Sequence, residues 1–160
     1  MNPRPRTTRY LIGLILFFLF QYAKAQNTDE PIRLEFFRGI PIQVDSGCNG
    51  LYASDTMSLK KANYLLVTDL QSFAFVKIKG NTIKLKLIGE PDNNFANKPL
   101  SKIYQGIYKG IEYRVILKTT TDKKADETWE STETWRDQGS LEIIRGKRHL
   151  ILKVHGISGC

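Results

Sequence analysis

The chain has 160 residues, 24 basic and 16 acidic side chains, a formal net charge of +8, and only two cysteines and two histidines. That length bounds it to one domain with a sizeable core, and so few thiols and imidazoles leave no ligand set for a metal site. The basicity is uneven: Arg4, Arg6, Arg9 and Lys24 lie in the first 25 residues, which hold no acid, so the remainder carries 20 basic against 16 acidic side chains. A balance of only +4 argues against a nucleic-acid binder, the more so for an exported chain.

Residues 1–25 read as a signal peptide. Three arginines precede the ten-residue apolar run LIGLILFFLF, Leu11 to Phe20, which is shorter than the roughly 20 residues a membrane-spanning helix needs and suits a signal-peptide core. Ala23 and Ala25 supply small residues before a cleavage point. The competing reading is an uncleaved N-terminal anchor. Cleavage leaves 26–31 as a flexible lead-in and 32–160 as a single domain, placed in a periplasmic or extracellular space.

In such an oxidising space two cysteines in one small domain usually pair, so Cys48 and Cys160 are the expected disulfide. It would close a long loop and pin a terminus that would otherwise fray. Two free or intermolecular thiols are the alternative.

Beyond the leader the dominant period is two. NTIKLKL alternates Ile83, Leu85 and Leu87 with Thr82, Lys84 and Lys86, and IEYRVILK alternates Ile111, Tyr113, Val115 and Leu117 with Glu112, Arg114 and Ile116, the signature of half-buried strands. TMSLKKANYLL is the weak exception and allows a short turn before a strand near Tyr64. Candidate strands cover 32–37, 49–53, 63–69, 73–79, 82–88, 103–108, 111–120, 128–136, 140–145 and 149–155. A turn on Gly80 and Asn81 sets Ile78 against Ile83, Val76 against Leu85 and Ala74 against Leu87, so inward residues meet inward residues. A turn on Gly146 and Lys147 pairs Ile143 with Leu150 and Leu141 with Leu152, and one on Lys109 and Gly110 pairs Tyr108 with Ile111. The fold expected is all-β: one antiparallel meander closed into a small barrel of eight to ten strands, with a two-sheet sandwich as runner-up. Bulky inward residues such as Val76, Ile78, Leu85, Leu87, Val115, Leu150 and Leu152 would fill it.

Two surfaces stand out. The Gly80-Asn81 turn sets Lys77 opposite Lys84, with Lys79 and Lys86 on the same face beside Phe73 and Phe75; like charges directly opposite destabilise a ladder. The face is either a binding surface for an acidic protein, a glycan or an anionic envelope surface, or a device that keeps the strand from pairing with other chains. DETWESTETWRD gathers Asp126, Glu127, Glu130, Glu133 and Asp137 around Trp129 and Trp135. The tryptophans cap a barrel end beside solvated acids, or they form a carbohydrate or protein hot spot.

Catalytic chemistry finds no support. His149 and His155 fall on the solvent side of one strand, far apart, and there is no Gly-rich phosphate loop, metal-ligand cluster or nucleophile-elbow serine. The expected protein is a non-enzyme without cofactor or metal.

FVKIKGNTIKLKL, the Ser-x-x-Tyr element of LSKIYQG and the strand IEYRVILK together resemble the periplasmic and membrane-bound inhibitors of c-type lysozyme. The resemblance implies a disulfide-stapled barrel of eight antiparallel strands and a Ser-Gly-x-x-Tyr loop that enters the lysozyme cleft. Ser101 and Tyr104 would be the probing residues, with Lys102 in place of the glycine and the spacing shorter by one. Two functions follow as expectations. One is an exported binding protein that inhibits an extracytoplasmic enzyme such as lysozyme through a loop bearing Ser101, Lys102 and Tyr104. The other is a cell-envelope structural or lipid- or glycan-binding barrel.

Overall fold

The computed structural model describes residues 30–41, 48–91, 99–122 and 134–159. They form β1 (Leu34–Glu35), β2 (Phe37–Arg38), β3 (Asn49–Ala53), α1 (Thr56–Lys60), β4 (Asn63–Tyr64), β5 (Leu66–Thr68), β6 (Phe73–Ile78), β7 (Asn81–Gly89), β8 (Leu100–Tyr108), β9 (Ile111–Asp122), β10 (Thr134–Arg145) and β11 (Arg148–Gly159). Strands β3 and β5 to β11 close an antiparallel barrel in the order β6-β5-β3-β11-β10-β9-β8-β7, and β7 returns to β6. The eight-stranded barrel is therefore the architecture, and the sandwich is not. One further strand, β1, lies beside β6, while β2 and β4 pair outside the barrel.

The interior follows from alternation. Val76, Ile78, Ile83, Leu85, Val115, Leu117, Leu141, Ile143 and Val154 are buried in one cluster with Tyr52, Tyr104 and Tyr113, and Leu87, Leu150 and Leu152 pack against it. At ~0.8 kcal/mol per buried methylene this cluster is the main stabilising element. A second, smaller cluster sits on the outside: Phe37, Tyr64, Val67 and Phe75, joined by Leu51, Leu59, Ala62 and Phe73. Helix α1 covers it. Asp55 caps that helix by accepting the Ser58 amide at 2.7 Å, and these hydrogen bonds hold its carboxyl down at about 2.

Two of the three expected hairpins have the expected register. Leu141 pairs with Leu152 and Ile143 with Leu150, and Tyr108 pairs with Ile111. The β6–β7 hairpin differs by two residues: Ile78 meets Asn81, Val76 meets Ile83 and Ala74 meets Leu85, so the turn is Lys79-Gly80. Both turn residues have positive φ, 51° and 75°, as do Lys109 and Gly110 at 50° and 74°, the geometry that matches strand twist in two-residue hairpins. A shift of two preserves which side chains point inward.

The shift rewrites the lysine face. Lys77 lies opposite Thr82 rather than Lys84, and Lys84 and Lys86 lie opposite Phe75 and Phe73. No lysine of the four faces another across this ladder, so the repulsion inferred from the Gly80-Asn81 turn is absent. Lys84 instead places its ammonium 3.7 Å from the centre of the Phe73 ring and 5.9 Å from that of Phe75. Lys84→Gln is therefore expected to destabilise the protein by about 0.5–1 kcal/mol, and Lys77→Gln to be near neutral. Urea midpoints of the two variants check this, and a gain in stability from Lys84→Gln would overturn it.

Two other boundaries move. The candidate strands 128–136 and 140–145 are, as far as the described residues reach, one strand, β10, running from Thr134 through 137–140 without a break. Strand β8 begins at Leu100 rather than 103.

Candidate functional site

The direction of each strand fixes what gathers at each end of the barrel. β5, β7, β9 and β11 run toward one end, from which β3, β6, β8 and β10 depart. The connections 69–72, 90–99 and 123–133 therefore all join strands at this end, called the mouth below. The tight turns at 79–80, 109–110 and 146–147 lie at the other end, together with the 54–65 connection that carries α1 and β4.

The layer of side chains at the mouth is polar. Asp137 shares the inward phase of Leu141 and Ile143 and is buried. Its carboxylate accepts the Tyr52 hydroxyl at 3.1 Å and the Thr121 hydroxyl at 2.8 Å. Burial, and then the neighbouring Asp137 charge, push the Tyr52 phenol well above its usual value, so it stays a neutral donor. Tyr52 can lie flat here because Gly156 faces it: a Cβ at Gly156 would overlap the Tyr52 ring. The acids of DETWESTETWRD thus include at least one that is a buried acceptor rather than a solvated charge. Residues 126–133, with Trp129, lie outside the described set, while Trp135 is exposed at the start of β10.

Beside this trio stands a second group. Lys102 pairs across β9 with Leu117, an inward position, and its ammonium bonds the Leu70 carbonyl at 3.0 Å and the Glu90 carboxylate at 3.3 Å. Only 12% of its side chain is exposed, so one desolvated cation is held by a carbonyl and a carboxylate, as burial of a charge requires. Asp69 organises the adjoining turn by accepting the amides of Gln71, Ser72 and Phe73 at 3.0, 2.8 and 2.8 Å. Partial burial alone would raise its carboxyl, but these three amides outweigh it and hold the group below its ordinary value. Burial, followed by the charges of Asp69 and Glu90, raises the Tyr104 phenol against an opposing hydrogen bond with Thr68.

The residues singled out by sequence are therefore placed differently from the expectation. Ser101, Lys102 and Tyr104 do not project from a loop. They lie in β8, where Ser101 is 4% and Tyr104 1% exposed. Tyr104 is a core residue with a polar tip at the mouth, and a side chain so buried cannot enter the cleft of another protein. Lys84 and Lys86 are exposed on the outer face, Lys79 is exposed in the turn, and Lys77 is half-buried. Cys48 is half-buried immediately before β3, and Cys160 lies outside the described residues. His149 is exposed and pairs with Glu142 at 2.9 Å.

Sequence reading missed the polar mouth itself. The available signal was phase: Lys102, Thr119 and Asp137 occupy inward positions of strands that are otherwise apolar on that side. Chemically, the Asp137 carboxylate, the Tyr52 and Thr121 hydroxyls, the Lys102 ammonium and the Asp69 carboxylate each have a partner, which makes the cluster a rigid platform. Among the described residues no group of three or more histidine, cysteine or acidic side chains has metal-binding geometry. No family model, curated protein or solved structure matches the chain.

Proposed function

We propose that this is an exported, non-enzymatic binding protein that presents the mouth of a filled barrel to another extracytoplasmic protein. The carrying observation is the polar layer at the mouth with an exposed aromatic beside it. The exposed Trp135 shares this end with the Lys102–Glu90 and Asp137 groups, and partly exposed aromatics on a rigid polar platform are typical anchors of protein interfaces. The packed interior speaks for a surface site rather than a lipid or glycan held in the lumen. The resemblance to inhibitors of c-type lysozyme supplies the first target class to try, a glycan-cleaving enzyme of the same compartment.

The test is capture of extracytoplasmic proteins on the immobilised chain lacking residues 1–25, together with a lysozyme inhibition assay. Trp135→Ala is expected to weaken capture or inhibition by about tenfold or more, the loss typical of an interface anchor. Lys147→Gln, in the exposed turn at the opposite end, should leave it unchanged. Ser101→Ala and Tyr104→Ala should act through stability alone. A chain that captures no partner and slows no lysozyme, or one whose capture is indifferent to Trp135, would remove the proposal.

A further inference from the structure

We propose that the strand lane beside the first half of β11 is a docking site for an extended segment of a partner protein, apolar at alternate positions and acidic between them. β3 pairs with β11 only from His155 to Gly159, then leaves at Ala53 for α1. The preceding seven residues of β11, Arg148–Val154, keep β10 on one side, and no strand among the described residues lies on the other. Across the lane stands β1. It takes up the position of β5 beside β6, since Leu34 pairs with Ile78 one rung pair beyond Leu66 with Val76. Near the mouth two strands, β3 and β5, separate β11 from β6; in this half only β1 does.

At ~4.8 Å between neighbouring strands the lane is about one strand wide. That width argues against a second copy of β11 as occupant, because it would bring its own β10 into β1. A single extended peptide fits. Side-chain exposure carries the same mark. Leu141 and Ile143 are 0% exposed, whereas Leu152 and Leu150, which face them across β10–β11, remain half-buried, as does Leu34 beyond the lane. Ile151, midway along the lane and pointing outward, is 66% exposed. An edge with this alternation, bordered by α1 but paired with no strand among the described residues, and without proline or bulge, is a template for strand addition.

The chemistry of the occupant follows from what flanks it. Inward side chains of an added strand would settle on Leu34, Leu150 and Leu152. Outward ones would lie among the exposed cations Arg33, Lys153 and Lys60, the last on α1, which touches β11. The acids on the flanking strands and helix are already engaged, Glu142 with His149, Glu35 with the Gly80 amide at 2.8 Å and Asp55 with the Ser58 amide. Carboxylates at the outward positions are therefore complementary.

The probe is the peptide acetyl-Glu-Val-Glu-Val-Glu-Val-Glu-amide, titrated onto the whole chain lacking residues 1–25 while backbone amide exchange is followed. Saturating peptide is expected to slow exchange of the lane-facing amides within 148–154 by about tenfold or more. N-methylation of alternate peptide residues should abolish the effect, and Lys153→Glu should weaken binding about threefold, the scale of one partly exposed charge pair. The proposal is overturned if those amides are already as protected without peptide as the centre of β9. It is likewise overturned if their protection grows with protein concentration alone, which would indicate a second copy. Protection elsewhere or nowhere, or equally tight binding of the lysine-for-glutamate peptide, also sinks it.

Discussion

Gly139→Ala is expected to lower the stability of the barrel by more than about 3 kcal/mol, the range reached when backbone must shift in a packed sheet. Gly139 sits in the middle of β10 opposite Thr119, in the inward phase shared by Asp137 and Leu141. A Cβ there would overlap the carbonyl oxygen of Lys118 and come within 2.8 Å of its carbonyl carbon and 2.9 Å of the Thr119 Cα. All three obstacles are main-chain atoms, so no rotamer change relieves them, and β9 and β10 must separate at the point where the network of Tyr52, Thr121 and Asp137 begins. Gly89→Ala is the matched control. Nothing lies within 4 Å of a Cβ at that position, and the substitution is expected to change stability by no more than about 0.5 kcal/mol. Denaturant unfolding of both variants decides the matter. A Gly139→Ala protein within 1 kcal/mol of the parent would mean that the close approach of β9 and β10 is not a feature of the protein in solution.

The second large effect concerns the thiols. Removing the proposed Cys48–Cys160 disulfide, by reduction or by Cys48→Ser, is expected to destabilise the domain by about 4–5 kcal/mol on the chain-entropy account of a loop this long. What supports the pairing is register. β3 and β11 match Ala53 with His155 and every rung down to Asn49 with Gly159, and the next pair of residues in the two sequences is Cys48 and Cys160. Directly opposed antiparallel residues stand about 4.5–5.5 Å apart at Cα, within the span of a disulfide. Thiol titration of the native chain should find no free sulfhydryl, and reductant should lower the urea midpoint sharply. A titratable thiol in protein recovered from an oxidising compartment, or a midpoint indifferent to reductant, would remove the pairing.

Alternation carried most of the fold. It identified the inward residues of β6, β7, β9, β10 and β11 correctly because apolar burial is the largest local signal in a half-buried strand. It could not fix the β6–β7 register, since a slip of two leaves every side chain on its own face. The decision there belonged to turn chemistry, and the Lys79-Gly80 dipeptide recurs as Lys109-Gly110 in the next tight hairpin with matching positive φ. The mouth was illegible for a related reason. An inward lysine in LSKIY and the polar run DQGS look like loop when a strand is assumed to be apolar inside. Lys102 is tolerated there because Leu70 and Glu90 receive its ammonium, and Asp137 because Tyr52 and Thr121 donate to it. Such partners stand 12 to 85 residues away in the chain, so no single local window contains them all.

The β3–β11 ladder also sets a schedule for biogenesis. It joins Asn49 to Gly159, 110 positions apart. At roughly 5–20 residues per second, a ribosome needs roughly 5–20 s to travel from one to the other. Until the twelve residues of β11 emerge, β3 and β10 stand as two raw sheet margins with apolar faces between them, and such non-local pairing is slow to form in any case. The nascent chain therefore cannot complete its sheet progressively. A truncation that deletes β11 is accordingly expected to yield insoluble product rather than a smaller folded protein.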